Sequence, residues 1–299
     1  YSKDTSLPLV VLLHGYGATG ALQESYMKFE SVAEKNRFIL VYPDGTIDSS
    51  GRRFWNATDA CCDFASAVAD DVYLLSILKE MESNYSVDPK RIYFVGHSNG
   101  GMWNRAAIKI LKDTNSPITV RSLITISSPH TGATAPRFYA GEIDLSACAG
   151  VAFCERSVKG WADLVKAMDK GLSAENTVKF TSGPDGWNAA QGDALRGIPV
   201  TLIGGTYFEA KDGDPTLWPY DGTVPLFSAW AQDVPSEIIP WRSCWKGPLV
   251  HWIGWSDQVG ISRDISITDN PEAMAQVNRA IDEADIALEQ PDRQGCQAE

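Results

Sequence analysis

Apolar and polar positions alternate along this chain with two different periods. Leu9-Val10-Val11-Leu12-Leu13 is an unbroken apolar run, the pattern of a parallel strand covered on both faces. Phe38-Ile39-Leu40-Val41 repeats it. Between the two, residues 24–35 carry Tyr26, Phe29, Val32 and Ala33 at helical spacing, which predicts a strand-helix-strand unit. The rhythm continues with a helix over 65–85, a strand over 92–95, a helix over 102–111, and strands over 120–126 and 199–203. Residues 237–240 read as the last strand, followed by a loop containing Cys244. A final helix is announced by Asn270 as cap, Pro271 in the first turn and Glu272 near its positive end, with Met274, Val277, Ile281 and Ile286 on one stripe. The order predicts an α/β fold built on a doubly wound, mostly parallel sheet.

The alternation fails between His130 and Ile198, where Gly132, Pro136, Gly141, Cys148, Cys154 and Gly183-Pro184-Asp185-Gly186 interrupt a single helix-like stretch over 161–168. We read residues 1–299 as a single catalytic domain with a cap or lid insertion at 131–197. Ligands bind at the carboxyl ends of parallel strands, which is where such an insertion sits.

Composition narrows the chemistry. A formal charge of −12 repels nucleic acid phosphates and anionic lipid surfaces, so neither is expected as a partner. No apolar run approaches the roughly 20 residues that span a bilayer. Six cysteines (Cys61, Cys62, Cys148, Cys154, Cys244, Cys296) and four histidines follow no metal-finger spacing, so we expect disulfides and no metal. Cys148 and Cys154 make a plausible local staple. The disulfides point to an extracellular or periplasmic protein. An opening at Tyr1 suits a mature secreted form, and the expected state is a monomer. Asn56-Ala57-Thr58 and Asn84-Tyr85-Ser86 match the glycosylation sequon.

Gly96-His97-Ser98-Asn99-Gly100 stands between a predicted strand and a predicted helix. A serine on so sharp a turn is a nucleophile elbow, and glycines two residues either side avoid collisions with strand and helix. A serine hydroxyl needs an imidazole to take its proton and a carboxylate to hold that imidazole. In chain order the acid and then the histidine follow the serine. His130 and His251 follow Ser98; His130 comes too early for an acid loop, so His251 is the expected base. Asp221, thirty residues earlier in the loop after strand 199–203, is the expected acid, with Asp212 and Asp214 as rivals. The oxyanion donors are expected to be the N–H of Asn99, at a helix start, and of Tyr16 in His14-Gly15-Tyr16-Gly17. The Tyr16 ring is expected to flank the acyl pocket, and His14 to be structural.

Leu12-Leu13-His14-Gly15-Tyr16-Gly17, Tyr42-Pro43-Asp44-Gly45, Phe54-Trp55-Asn56-Ala57 with Cys61-Cys62, Asp70-Asp71-Val72, Val87-Asp88-Pro89-Lys90-Arg91-Ile92-Tyr93 and Gly96-His97-Ser98-Asn99-Gly100-Gly101-Met102 occur in that order. Over residues 7–106 the chain thereby resembles the secreted feruloyl esterase and polyhydroxybutyrate depolymerase family of α/β-hydrolases. Ser127-Ser128-Pro129-His130-Thr131-Gly132 and the Asp221 segment look more like secreted bacterial lipases. The resemblance implies hydrolysis of carboxylic esters through an acyl-enzyme, without a cofactor. Feruloyl esters, polyesters and acylglycerols all remain open as substrates, with a catalytically inactive binding module as the distant alternative. Trp55, Trp103 and Trp252 are the candidate substrate-binding aromatics.

Overall fold

A computed structural model describes residues 5–57, 67–139, 141, 143–168, 186–252, 254, 257, 260–284 and 296. Six strands form one sheet: β1 (Leu7–Leu13), β2 (Ile39–Val41), β5 (Val87–His97), β6 (Val120–Ile126), β7 (Val200–Gly205) and β8 (Arg242–Gly247), in the order β2-β1-β5-β6-β7-β8. Every neighbouring pair is parallel. Two short strands, β3 (Thr46–Ile47) and β4 (Arg53–Phe54), pair antiparallel in a separate hairpin. The apolar runs are covered on both faces as predicted. Leu9, Val11 and Leu13 pack on one side with the helices α3 (Asp70–Asn84) and α4 (Asn99–Asp113). Val10 and Leu12 pack on the other with α1 (Gly20–Met27), α2 (Phe29–Asn36) and, at the chain's end, the helix over Pro271–Asp282.

Several predicted elements are redrawn. The helix expected over 24–35 is two helices, broken at Lys28, which takes a left-handed φ of 55°. Neighbouring residues on a continuous helix point about 100° apart, so residues 27 and 29 would diverge by roughly 200°. The kink lets Met27 and Phe29 both enter the same buried cluster. The strand expected over 237–240 is instead a turn, in which Ile238 and Ile239 donate to the Pro235 carbonyl. The strand is Arg242–Gly247, so Cys244 lies in it and not in a loop. As a half-exposed edge strand it carries no apolar run, which hides it from a periodicity reading. The helix expected from residue 65 starts at Asp70, and the one expected over 161–168 belongs to a longer helix over Ala152–Met168.

Between β6 and β7 lie α5 (Thr134–Tyr139), a 3-10 turn (Leu145–Cys148), α6 (Ala152–Met168) and α7 (Trp187–Gln191). Cys148, Cys154 and Val158 form a buried cluster with Leu217, Trp218 and Tyr220 of the segment that follows β7. The Trp218 indole donates to the Ala147 carbonyl at 2.8 Å, and Phe153 stacks on Phe208 at 4.1 Å. Disulfides join Cys148 to Cys154, as the spacing suggested, and Cys244 to Cys296. Cys61, Cys62, Thr58, Ile286 and residues 169–185 lie outside the described residues. After α8 (Leu226–Ala229), the final helix α9 (Pro271–Asp282) is capped by Asn270, whose Oδ1 accepts from the N–H groups of Glu272 and Ala273. Among the described residues no helix is long and apolar enough to cross a membrane.

Lys28 offers a direct check of the kink. A β-branched residue is a genuine outlier in the left-handed region, whereas glycine enters it freely. Lys28→Gly is expected to stay within about 1 kcal/mol of the parent, because the exposed ion pair it removes is worth about 1 kcal/mol at most. Lys28→Val is expected to fall more than about 1 kcal/mol below Lys28→Gly in urea unfolding.

Candidate active site

The sheet order places the site. The chain runs outward from β1 to β2, then returns past β1 to β5, so β1 and β5 lie side by side with their successors leaving in opposite directions. Crevices at such switch points, beyond the carboxyl ends of the strands, are where open α/β sheets bind ligands. Leu13 is paired with Gly96 at that end. The segments after each strand, His14-Gly15-Tyr16 and Ser98-Asn99, are therefore neighbours. A Cβ built on Gly15 would stand 3.2 Å from Ser98 Cβ.

Ser98 has φ 52° and ψ −122°, a conformation strained for any residue with a side chain. The strain arises because β5 becomes α4 within one residue. The turn is tight enough that a Cβ on Gly96 would meet the Gly101 nitrogen at 2.5 Å, and one on Gly100 the Leu13 and His14 carbonyl oxygens at 2.4 and 2.6 Å. Glycine at both positions is a steric requirement, and Ser98 is the elbow that the sequence pattern predicts.

His251 and Asp221 also come together. His251 Nδ1 donates to Asp221 Oδ2 at 2.8 Å, with both side chains buried. The other Asp221 oxygen accepts the N–H groups of Thr223 and Val224 at 2.9 and 2.7 Å, and the His251 N–H donates to the Asp221 carbonyl at 2.9 Å. The carboxylate is thus locked in orientation, and His251 Nε2 is left as the basic nitrogen. The rival Asp212 and Asp214 are exposed, and Asp214 is spent on its own turn with Thr216. His251 reaches the elbow through the residue before Ser98: His97 Nε2 donates to the His251 carbonyl at 3.0 Å, and the two rings lie 4.7 Å apart. The Ser98 hydroxyl makes no hydrogen bond with a described residue.

The loop after β1 is held by Gln23, which periodicity and motif reading passed over, and by His14 and Tyr16. Gln23, fully buried, donates to the Leu13 carbonyl and accepts from the Gly15 N–H, at 3.0 and 3.1 Å. His14 accepts from the Gly45 N–H through Nε2, so Nδ1 carries the proton and donates to the Gly15 carbonyl. The Tyr16 ring is tied down: its hydroxyl donates to Asp48 Oδ2 at 2.6 Å, under the Arg52 guanidinium. Burial pushes the Asp48 carboxyl up, but the Tyr16 hydroxyl and the Arg52 and Ser50 donors outweigh it and hold the group below its ordinary range.

Trp55 and Trp103 lie inside the core, sealed from solvent, while Trp252 is 39% exposed beside His251. Of the three candidate aromatics, Trp252 is the one that presents its surface to solvent. His130 is committed elsewhere: its Nδ1 accepts from the buried Arg105 guanidinium at 3.1 Å, so Nε2–H donates to Thr125 Oγ1 at 3.0 Å. Arg105 in turn lies 4.6 Å from the Trp187 ring of α7. Among the described residues no three His, Cys, Asp or Glu side chains gather as metal ligands.

The chain matches the model of a family described as palmitoyl protein thioesterase over residues 9–174. It is similar to a feruloyl esterase B of Neurospora crassa, with 32% identity over 33% of this chain and 32% of the relative. It is 30% identical to a bifunctional acetylxylan esterase/xylanase of Neocallimastix patriciarum over 34% of this chain and 13% of the relative. A poly(3-hydroxyalkanoate) depolymerase C of Paucimonas lemoignei shares 28% over 31% of this chain and 22% of its own. The chain thus spans a third or less of the length of these curated relatives. Among solved structures, an esterase of Pyrobaculum calidifontis superposes over 95% of this chain and 78% of its own, with a TM-score of 0.55 and 16% identity. A fungal esterase of Rhizomucor miehei does so over 96% and 77%, with a TM-score of 0.51 and 13% identity. The fold is an α/β-hydrolase fold, and the relatives named are esterases and hydrolases.

Burial shifts the titration of three buried histidines. It lowers His14, and it drives His97 and His130 well below the usual 6.5, with the neighbouring His251 and Arg105 adding to the effect on each. A base whose folded pKa is depressed takes up a proton on unfolding, so stability falls as pH drops below about 6.5. Each group contributes at most about 1.4 kcal/mol per pH unit. Asp70, raised by burial, acts in the opposite direction only near the carboxylate range, below about pH 5. Urea unfolding at pH 7.5 and 5.5 is expected to show a loss of about 1–4 kcal/mol at the lower pH, shallower in His97→Gln; a flat profile contradicts the neutral assignments.

Proposed function

This chain belongs to the palmitoyl protein thioesterase family of α/β-hydrolases, and from that premise we propose that it is a secreted serine hydrolase of carboxylic esters. The observation that carries the reading is the strained Ser98 elbow beside a buried His251–Asp221 pair. Ser98 attacks the ester carbonyl. His251 Nε2 takes the hydroxyl proton and returns it to the leaving alcohol, while Asp221 holds the imidazole and stabilises its positive charge. The oxygen that becomes negative is met by the backbone N–H groups of Tyr16 and Asn99, the second at the start of a 15-residue helix whose dipole favours an anion. Water activated by the same imidazole then releases the acid, and no cofactor takes part.

For the substrate, the feruloyl esterase and polyhydroxyalkanoate depolymerase relatives favour a carboxylic ester of that kind. Trp252 stands beside His251 as an aromatic contact for such a group. The described helices between β6 and β7 serve as a cap at the site. A second reading, hydrolysis of long-chain acyl esters or thioesters, is favoured by the family match itself. The two disulfides support an oxidising compartment.

Ser98→Ala is expected to lower kcat by about 10⁶-fold and Asp221→Asn by about 10⁴-fold, each with an unchanged fold by circular dichroism. The measurement is turnover of p-nitrophenyl esters from two to sixteen carbons beside methyl ferulate, a polyhydroxybutyrate film and a palmitoyl thioester. Preference for short chains with ferulate turnover supports the first reading, and preference for the long chains or the thioester supports the second. A Ser98→Ala variant that keeps its activity sinks both.

A further inference from the structure

Tyr16 and Asn99 come from different elements, yet the residues around both converge on one short segment. We propose that the β3–β4 hairpin, with the Trp55 that follows it, positions the two oxyanion donors relative to each other. Trp55 and the Tyr16 hydroxyl are its positioning groups. This rests on the reading of Ser98, Tyr16 and Asn99 given above.

Trp55 bonds to both sides. Its backbone N–H donates to Asn99 Oδ1 at 2.7 Å, and its carbonyl accepts from Asn99 Nδ2 at 3.0 Å, so the whole carboxamide of the first α4 residue is used to hold that residue in place. Its indole Nε1 donates to the His14 carbonyl at 3.0 Å, fixing the peptide that leads into Gly15 and Tyr16. The strand just before it bonds the far side of that loop, where the Gly17 N–H donates to the Arg53 carbonyl at 2.7 Å. The hairpin turn grips the Tyr16 side chain through Asp48. Asp48 cannot swing away, because its second oxygen accepts Ser50 N–H, Ser50 Oγ–H and Arg52 N–H at 2.8, 2.7 and 2.9 Å.

The hairpin is itself anchored from behind. Buried Asp70, in the first turn of α3, accepts the Asn56 N–H at 2.7 Å and the Thr46 hydroxyl at 3.5 Å. A clamp fastened at α3 and bonded to both loops adds to the β1–β5 pairing in setting the spacing of the two amides. Oxyanion donors act only when they sit 2.7–3.1 Å from where the charge develops, so a small error in spacing weakens the transition state more than the ground state.

Two variants test this. Trp55→Phe keeps an aromatic ring but loses the indole N–H, and Tyr16→Phe loses only the hydroxyl that Asp48 holds. Both are expected to lower kcat, about 10- to 50-fold and 3- to 10-fold respectively, with KM within threefold of the parent. Rates are counted per site, from the end-point of fluorophosphonate labelling, which removes any misfolded fraction. The Ki of a trifluoromethyl ketone, whose adduct with the serine carries the oxyanion charge, is expected to rise by the same factor as kcat/KM falls. A per-site kcat equal to the parent's, or an unchanged Ki, overturns the proposal and leaves Trp55 as a packing residue. Failure of the parent to take the label is a different result and overturns the serine reading instead.

Discussion

A parallel strand sealed on both faces can present a side chain to solvent only where it ends, and β5 ends by reversing into a helix at a single residue. Ser98 takes up that reversal at φ 52°, and the space for it exists because positions 96 and 100 have no Cβ. The same close approach seats the start of α4 on the Leu13 and His14 carbonyls. The elbow and the loop after β1 are therefore one packed unit, and the strain at Ser98 persists because the backbone on both sides leaves it no alternative. His251 joins that unit through the residue before the serine, since the His97 ring bonds its main chain and faces its ring.

The electrostatics of the site follow from burial. His14, His97 and His130 are all pushed towards their neutral forms, and His14 and His130 are bonded through both ring nitrogens as a neutral tautomer requires. Adding a proton to His97 or His130 leaves a charge in the core with no carboxylate acting on it, whereas Asp44 offsets part of the cost at His14. His251 differs by its partner, an Asp221 that is fully buried yet satisfied by two backbone N–H groups as well as the imidazole. Of the chain's four histidines it is the one whose ring bonds directly to a carboxylate.

Much of this was legible in the sequence, for identifiable reasons. Buried parallel strands leave unbroken apolar runs, so β1, β2, β6 and β7 were found within a residue or two. The elbow was legible because sterics demand glycine at fixed offsets from the serine, and Asp221 and His251 because chain order leaves few choices. What escaped was whatever depends on contacts distant in sequence. The break at Lys28 exists to bury Met27 and Phe29 together, and β8 is an edge strand whose polar residues find partners only in the folded state. Trp55 read as a possible substrate contact because it is aromatic and near the motifs. Its burial and its three bonds to His14 and Asn99 follow from tertiary packing that no local pattern encodes. Gln23 and His97 were passed over for the same reason: each serves a backbone atom.

The chain between β6 and β7 is packed against the segment that carries Asp221. The helices between β6 and β7 share a buried cluster with Leu217, Trp218 and Tyr220, the three residues just before Asp221 apart from a proline. Arg137 adds two bonds to Thr216 in the same segment, at 3.0 and 3.1 Å. Across similar chains, the fold extends over about 95% of this one while curated relatives align with about a third of it. Sterics at the elbow leave no room for a side chain at positions 96 and 100, whereas the helices between β6 and β7 need only present an apolar face to the segment before Asp221. A change there is not free of consequence for the chemistry, because any repacking of Cys148, Cys154 or Val158 bears directly on the peptide that aims Asp221 at His251.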